Sequence, residues 1–281
     1  MESWVLYAIV SLFIVGLYNF GMKMIAKRNY NTSFVTIISY STASMIAGIY
    51  YFFTHQGNFL VEGFLIIGLF ALLHRIFLFA STLARVEGLK NIDTTIFYPV
   101  YKAFFPILMT AISVFYFGES LSWYEGLGIF IGISIPLLLI NKVENTLQSN
   151  LKLGIVFIII TTITAGLGSF LTKILTIKSL DLDLFIFLGY SFGVVISSLN
   201  YKFLQKKTIK QYSQEGVYKF GIILGIITLL GHYTYVYSLT GNLAIAVTIN
   251  SFSILIPIIL SVIFYKEEMT IKKAFVIFLS I

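Results

Sequence analysis

Long runs of apolar residues separated by short polar breaks dominate the chain. Ten can be marked, at residues 4–26, 33–53, 60–84, 92–118, 122–140, 151–175, 182–200, 217–239, 243–265 and 271–281. A helix that crosses a bilayer needs roughly 20 largely apolar residues, so the first nine runs predict membrane spans. The tenth has 11 residues before the chain stops at Ile281, about 16 Å of helix at 1.5 Å per residue, and is expected to be a truncated helix. The pattern therefore predicts an all-α polytopic membrane protein with ten transmembrane helices.

The polar stretch Asn-Lys-Val-Glu-Asn-Thr-Leu-Gln-Ser-Asn at 141–150 falls near the midpoint and reads as a linker between residues 1–140 and 151–281. The two sides repeat. Gly16-Leu-Tyr-Asn-Phe-Gly-Met-Lys23 and Gly166-Leu-Gly-Ser-Phe-Leu-Thr-Lys173 share Gly, Leu, Phe and Lys at a spacing of 150 residues, and Ser39-Tyr40-Ser41 maps onto Gly189-Tyr190-Ser191 at the same spacing. Phe117-Gly118-Glu119 and Tyr265-Lys266-Glu267 match as well, each ending a run with a proline upstream (Pro106, Pro257). Five helices per unit is an odd number, so the second unit must be inverted; inverted repeats around a midplane site are a transporter signature.

Composition fits this picture and closes off others. Only 11% of the 281 residues are charged, 58% are hydrophobic and none is cysteine, which excludes disulfides and thiolate chemistry. The formal charge of +7 falls mostly in loops between apolar runs, where positive-inside topology explains it better than nucleic acid. The breaks after runs 1, 3, 5, 7 and 9 hold most of the lysines and arginines, against Lys173 and Lys178 on the other side. That bias puts the N-terminus outside. The opening Met-Glu-Ser-Trp lacks the basic start of a signal peptide, so the first run reads as a retained helix.

With these residues in view, the chain resembles the drug/metabolite transporter superfamily, EamA-type. The resemblance rests on the Gly-x-x-Asn-Phe-x-x-Lys run with its second copy, the proline-then-Gly-Glu ending of the fourth run, the glycine-bearing run after it (Gly126, Gly128, Gly132), and the five-plus-five layout. It covers essentially the whole chain. Pro257 departs from the pattern by standing ten residues before Glu267, and the break at 54–58 lacks basic residues. The resemblance implies a multi-pass protein of a bacterial or archaeal plasma membrane that moves a small-molecule substrate. It also implies cytoplasmic termini, contrary to the loop charges.

The fourth run, 92–118, carries Lys102 near its middle with Pro99 and Pro106 on either side. A lysine at mid-membrane costs about 2.5–3.5 kcal/mol on insertion scales and marks a functional position unless paired. Proline frees a backbone carbonyl, which membranes tolerate where protein or water can satisfy it. This run is thus expected to border a polar cavity. Arg75 in the third run poses the same question, with Asp93 too near a helix end to be an assured partner. Tyr98, at i−4 from Lys102, shares its helix face, and Tyr101 does not. Asn19 and Ser169 could coordinate a polar substrate, although bonding between helices is the commoner role. His74 and His232 could relay protons or sit bonded inside the bundle. Tyr40, Tyr190 and Tyr235 complete the candidate binding residues.

Lys23 and Lys173, near helix ends, are expected to snorkel. Glu119 and Glu267 are expected to cap helices or pair with the next one, and Gly128-x-x-x-Gly132, Gly189-x-x-x-Gly193 and Gly221-x-x-x-Gly225 to allow close helix approach. Pro99, Pro106 and Pro257 are candidate hinges. The chain has no His-Glu-x-x-His, no Gly-x-Ser-x-Gly, no phosphate-binding Gly-x-x-x-x-Gly-Lys-Ser/Thr pattern and no Cys pair, so neither an enzymatic residue set nor a cofactor is expected. The expected function is secondary transport of a small anionic or zwitterionic metabolite by alternating access. The alternatives are a multidrug or cation exporter of the same fold and a non-transporting membrane scaffold. Whether the protein is a monomer or a dimer is open from sequence.

Overall fold

The structure, a computed structural model, describes residues 2–56, 61–92, 94–138, 151–204 and 216–265. Its helices are α1 (Ser3–Lys27), α2 (Thr32–Thr54), α3 (Phe64–Asn91), α4 (Thr94–Phe115), α5 (Trp123–Leu138), α6 (Leu151–Ile177), α7 (Leu182–Leu199), α8 (Val217–Ser238), α9 (Leu243–Ser251) and α10 (Leu255–Tyr265). A short π-helical turn, Asn200–Leu204, extends α7. Among the described residues there is no strand, and eight helical stretches are long and apolar enough to cross a membrane. This is a multi-pass integral membrane protein. Large side chains such as Phe115, Leu65 and Phe53 stay more than three-quarters exposed, the surface that lipid covers. Residues 139–150, 266–281 and Asp93 lie outside the described residues. The expected linker, the tenth run, Glu267 and the candidate partner of Arg75 are therefore not described.

Two boundaries differ from the expected ones, each for a physical reason. The third run was expected to end at residue 84, where charged residues begin, yet α3 continues to Asn91. Arg85 is taken into the bundle and bonded there to Asn19 and Tyr101, while Glu87 and Lys90 pair at 2.7 Å on the exposed side of the last turns, as i,i+3 neighbours can. The ninth run was expected to be one helix, but a 3-10 turn at Phe252–Ile254 divides it into α9 and α10. Pro257 is the third residue of α10. It has no N–H to give to the carbonyl of Ser253 and its ring crowds that carbonyl, and the tighter turn accommodates the gap. In α4, by contrast, Pro99 and Pro106 both lie within an unbroken helix.

The repeat seen in the sequence recurs in atomic detail. The α1–α2 and α6–α7 connections use the same turn: Tyr30 N–H donates to Ile25 O and Leu180 N–H to Leu175 O, the six-to-one closure of a Schellman end. Asn29 and Ser179 hold the left-handed position in these turns, at φ 50° and 51°. Asn31 and Asp181 then cap α2 and α7, each side chain accepting from the N–H three residues on at 2.9 Å. Helices of the two sides interleave: α3 packs on α6, α1 on α8, and α2 on α7. α2 and α7 are antiparallel. His55, just after α2, pairs with Asp181 ahead of α7 at 3.2 Å, while Ser33 at the start of α2 bonds Asn200 at the end of α7.

Glycines let some of these helices meet closely. A Cβ at Gly225 would lie 2.6 Å from the carbonyl oxygen of Ser39, and one at Gly221 2.8 Å from Ile38, so the α8 pair serves packing as expected. Gly128 does not follow that expectation, since no described atom lies within 4 Å of its Cβ position. Two apolar clusters, one around Phe97, Phe105 and Ile258 and the other around Tyr51, Phe185 and Leu229, leave a polar seam between them.

A cationic cavity between the two halves

That seam is a cavity of about 130 Å³. Since a water needs roughly 10–15 Å³ of such space, it has room for roughly ten waters. Helices from both halves wall it, α1, α2, α3 and α4 from the first and α6, α7, α8 and α9 from the second. Of the candidate binding residues, Lys102, Arg75, Asn19, Tyr40, Tyr190, His232 and Tyr235 line it.

Lys102 projects from α4 and is 3% exposed. Its Nζ donates to Asn250 of α9, to Oδ1 at 3.0 Å and to the backbone oxygen at 3.3 Å. Asn250 is held from behind, its amide donating to Ser11 Oγ at 2.8 Å. Arg75, 1% exposed, lies between two aromatic faces, with Cζ 4.0 Å from the Tyr190 ring centre and 4.8 Å from that of Tyr40. α7 makes space for it with glycine: a Cβ at Gly193 would come within 2.9 Å of Arg75 Cδ. Cation–π contacts orient a guanidinium, but they are not hydrogen bonds, and among the described residues Arg75 Nε and Nη2 have no acceptor.

The sequence reading missed Arg85, which is 8% exposed and lines the same cavity. Its Nη1 donates to Asn19 Oδ1 at 3.0 Å and its Nη2 to the Tyr101 hydroxyl at 3.4 Å, while Nε has no partner among the described residues. Ending the third helix at residue 84 had placed this arginine in a loop. The signal that could have found it is the repeat: Asn19–Arg85 and Ser169–Tyr235 are bonded pairs of the same separation, 66 residues.

Three expectations are corrected. Tyr98 does not border the cavity; it is fully buried and its hydroxyl donates to the Asn19 carbonyl at 2.7 Å. The ring beside Lys102 belongs instead to Tyr101, 5.6 Å from Nζ. The Lys102 side chain reaches across to α9 rather than back along its own helix, so the i−4 spacing does not govern. His74 is buried behind the wall, stacked on His232 with ring centres 5.0 Å apart. Lys23 and Lys173 do not snorkel. Both are buried: Lys23 donates to Ser261 Oγ at 2.6 Å, and Lys173 pairs with Glu119 at 2.6 Å and donates to the Gly241 carbonyl. Glu119 also accepts from the N–H of Leu243 at 2.9 Å, and its own N–H donates to the Ser113 carbonyl in the last turn of α4 at 3.1 Å, so it closes its own helix as expected and joins it to α6 and α9.

Among the described lining residues the cavity gathers three cations, Arg75, Arg85 and Lys102, and no carboxylate. Such a chamber favours negative charge, since a buried cation costs several kcal/mol of desolvation unless an anion or strong acceptors offset it. One solved structure, described only as "Crystal structure of protein", superimposes with a TM-score of 0.75 over 98% of this chain and 94% of its own, at 12% identity. At that identity the likeness speaks for the fold alone. Comparison with curated proteins gives no match. The description "EamA-like transporter family" fits twice, over residues 2–141 and again over 152–281. The family is one of membrane transporters rather than enzymes, and with both halves matched this chain belongs to it.

Proposed function

We propose that the protein is a secondary transporter that carries a small anionic or zwitterionic metabolite, of the organic-acid or amino-acid type, through the cavity by alternating access. The observation that carries this reading is the trio of buried cations with no carboxylate among the described lining residues. An anion entering the chamber gains what the described lining residues do not provide, an opposite charge and acceptors for Nε and Nη2 of Arg75 and Nε of Arg85. A cation exporter of the same fold fits less well. Its substrate would meet like charge, and the two tyrosine faces suited to a cation–π contact already hold Arg75.

Alternating access draws support from the antiparallel α2 and α7, which are counterparts in the repeat, and so from an inverted arrangement of the halves. Each end of the cavity is fastened by a lysine one turn beyond it. Lys173 follows Ser169 and bonds Glu119, and Lys23 follows Asn19 and bonds Ser261. Rocking one half against the other would break one fastening while keeping its mirror. The interrupted span at Phe252–Ile254 and the proline-bearing α4 are the elements placed to flex.

Counterflow into proteoliposomes with a panel of organic acids, amino acids and a quaternary ammonium dye tests the reading. An acid should enter, and Lys102→Ala should slow it by at least about tenfold, since truncating one member of a buried charged pair typically costs a few kcal/mol. Entry of the dye, undiminished by Lys102→Ala, would overturn the anion reading. A chain that moves nothing would return the scaffold reading.

A further inference from the structure

The cations are not clustered at one point. Arg75 and Arg85 both project from α3, ten residues apart, about 15 Å along the axis at 1.5 Å per residue. Leu78, Ser81 and Thr82, between them on the same helix, also line the cavity, so the chamber runs along α3 from one arginine to the other. The guanidiniums do not converge. Arg75 is drawn along α7, where a Cβ at Gly193 would sit 3.0 Å from its Cγ and one at Gly189 3.4 Å from its Nη2. It is sandwiched there by Tyr40 and Tyr190. Arg85 is turned to α1 and α4 by Asn19 and Tyr101. Lys102, over the same Tyr101 ring, belongs to the Arg85 end.

The chamber thus has two cationic ends with a neutral waist of Leu78, Ser81 and Thr82. Both ends hold donors with no partner among the described residues, Nε and Nη2 on Arg75 and Nε on Arg85. Leaving buried charged donors unpaired costs more than pairing them returns, so each end calls for its own acceptor. A monoanion can satisfy one end only. An ammonium group, as in an amino acid, would place like charge against the other end.

Resting on the anion reading above, we infer that the substrate is a dianion with its two charged groups held apart, a dicarboxylate. One carboxylate meets Arg75 in the tyrosine sandwich and the other meets the Arg85–Lys102 end. Guanidinium–carboxylate pairs suit this geometry because the planar fork presents parallel donors. The waist sets the spacing, so recognition depends on chain length as well as on charge.

Calorimetric titration of the purified protein with malonate, succinate, glutarate and adipate, beside butyrate, 4-aminobutyrate and sulfate, reads this directly without any variant. One diacid length should bind at least about tenfold tighter than butyrate, 4-aminobutyrate and sulfate, because a site built to pair a group rejects the analogue lacking it. Arg75→Gln should abolish that preference, bringing the best diacid down to the affinity of butyrate. Butyrate or 4-aminobutyrate binding as tightly as the best diacid would overturn the two-ended site while leaving the anion reading standing. Sulfate binding as tightly would overturn it in favour of a compact dianion. Failure of every acid to bind would remove both readings.

Discussion

The buried lysines show how position in a span and chemical environment part company. Lys173 lies near a helix end, where a flexible side chain could reach the interface cheaply, yet it turns inward to Glu119. The pair is worth having in this place because Glu119 also accepts from the Leu243 N–H and Lys173 donates to the Leu239 and Gly241 carbonyls. Three chain segments that would each leave a polar group bare near the membrane are tied by one ion pair. Breaking a buried pair from one side is the expensive event, at about 3–5 kcal/mol, whereas replacing both partners with apolar groups is often neutral. Glu119→Ala and Lys173→Met should therefore each lower the thermal midpoint. The double variant should recover most of the loss, giving a coupling energy that a double-mutant cycle in detergent measures. Equal, additive losses would mean that the pair fastens nothing.

At the scale of the element, most of the helices were legible because lipid makes the pattern simple: any long apolar run must be a helix, with its backbone bonds made internally. What hydropathy could not supply was the behaviour of charged or proline residues at the edges of runs. Arg85 looked like a loop residue until Asn19 and Tyr101 were brought beside it, contacts between segments that no local window contains. The break in the ninth run was half legible, since Pro257 was marked as a hinge, but the 3-10 turn three residues ahead of it was not. Pro257→Ala would return an N–H to the carbonyl of Ser253 and remove the ring that crowds it. The variant should melt no lower than the parent and turn over more slowly, because a continuous α9–α10 is stiffer. Faster counterflow in Pro257→Ala would show that the break is not the moving part.

For the molecule as a whole, the repeat was the most informative feature of the sequence, and it reached further than the motifs that revealed it. It pairs the turns at Asn29 and Ser179 and the caps at Asn31 and Asp181. It also pairs the bonds Asn19–Arg85 and Ser169–Tyr235. It does not pair the charges. Arg85 faces a counterpart in Tyr235, and Lys102 is held by its own counterpart Asn250, so the cations all come from the first half. Such a molecule has two like frames around an unlike centre, so its two faces are not equivalent. The contacts already separate two faces: His55 meets Asp181 on one, and Ser33 meets Asn200 on the other. The second face carries the exposed Lys27, Arg28 and Lys202, and taking Arg85 into the bundle leaves that excess in place. The positive-inside rule then predicts the Asn29 turn in the cytoplasm and the Gln56 turn outside. Because the chain has no cysteine, Asn29→Cys and Gln56→Cys are clean reporters in intact cells. A membrane-impermeant maleimide should label Gln56→Cys at once and Asn29→Cys only after permeabilisation. The reverse pattern would place the N-terminus in the cytoplasm. Labelling of both from one side would deny that α2 crosses the membrane.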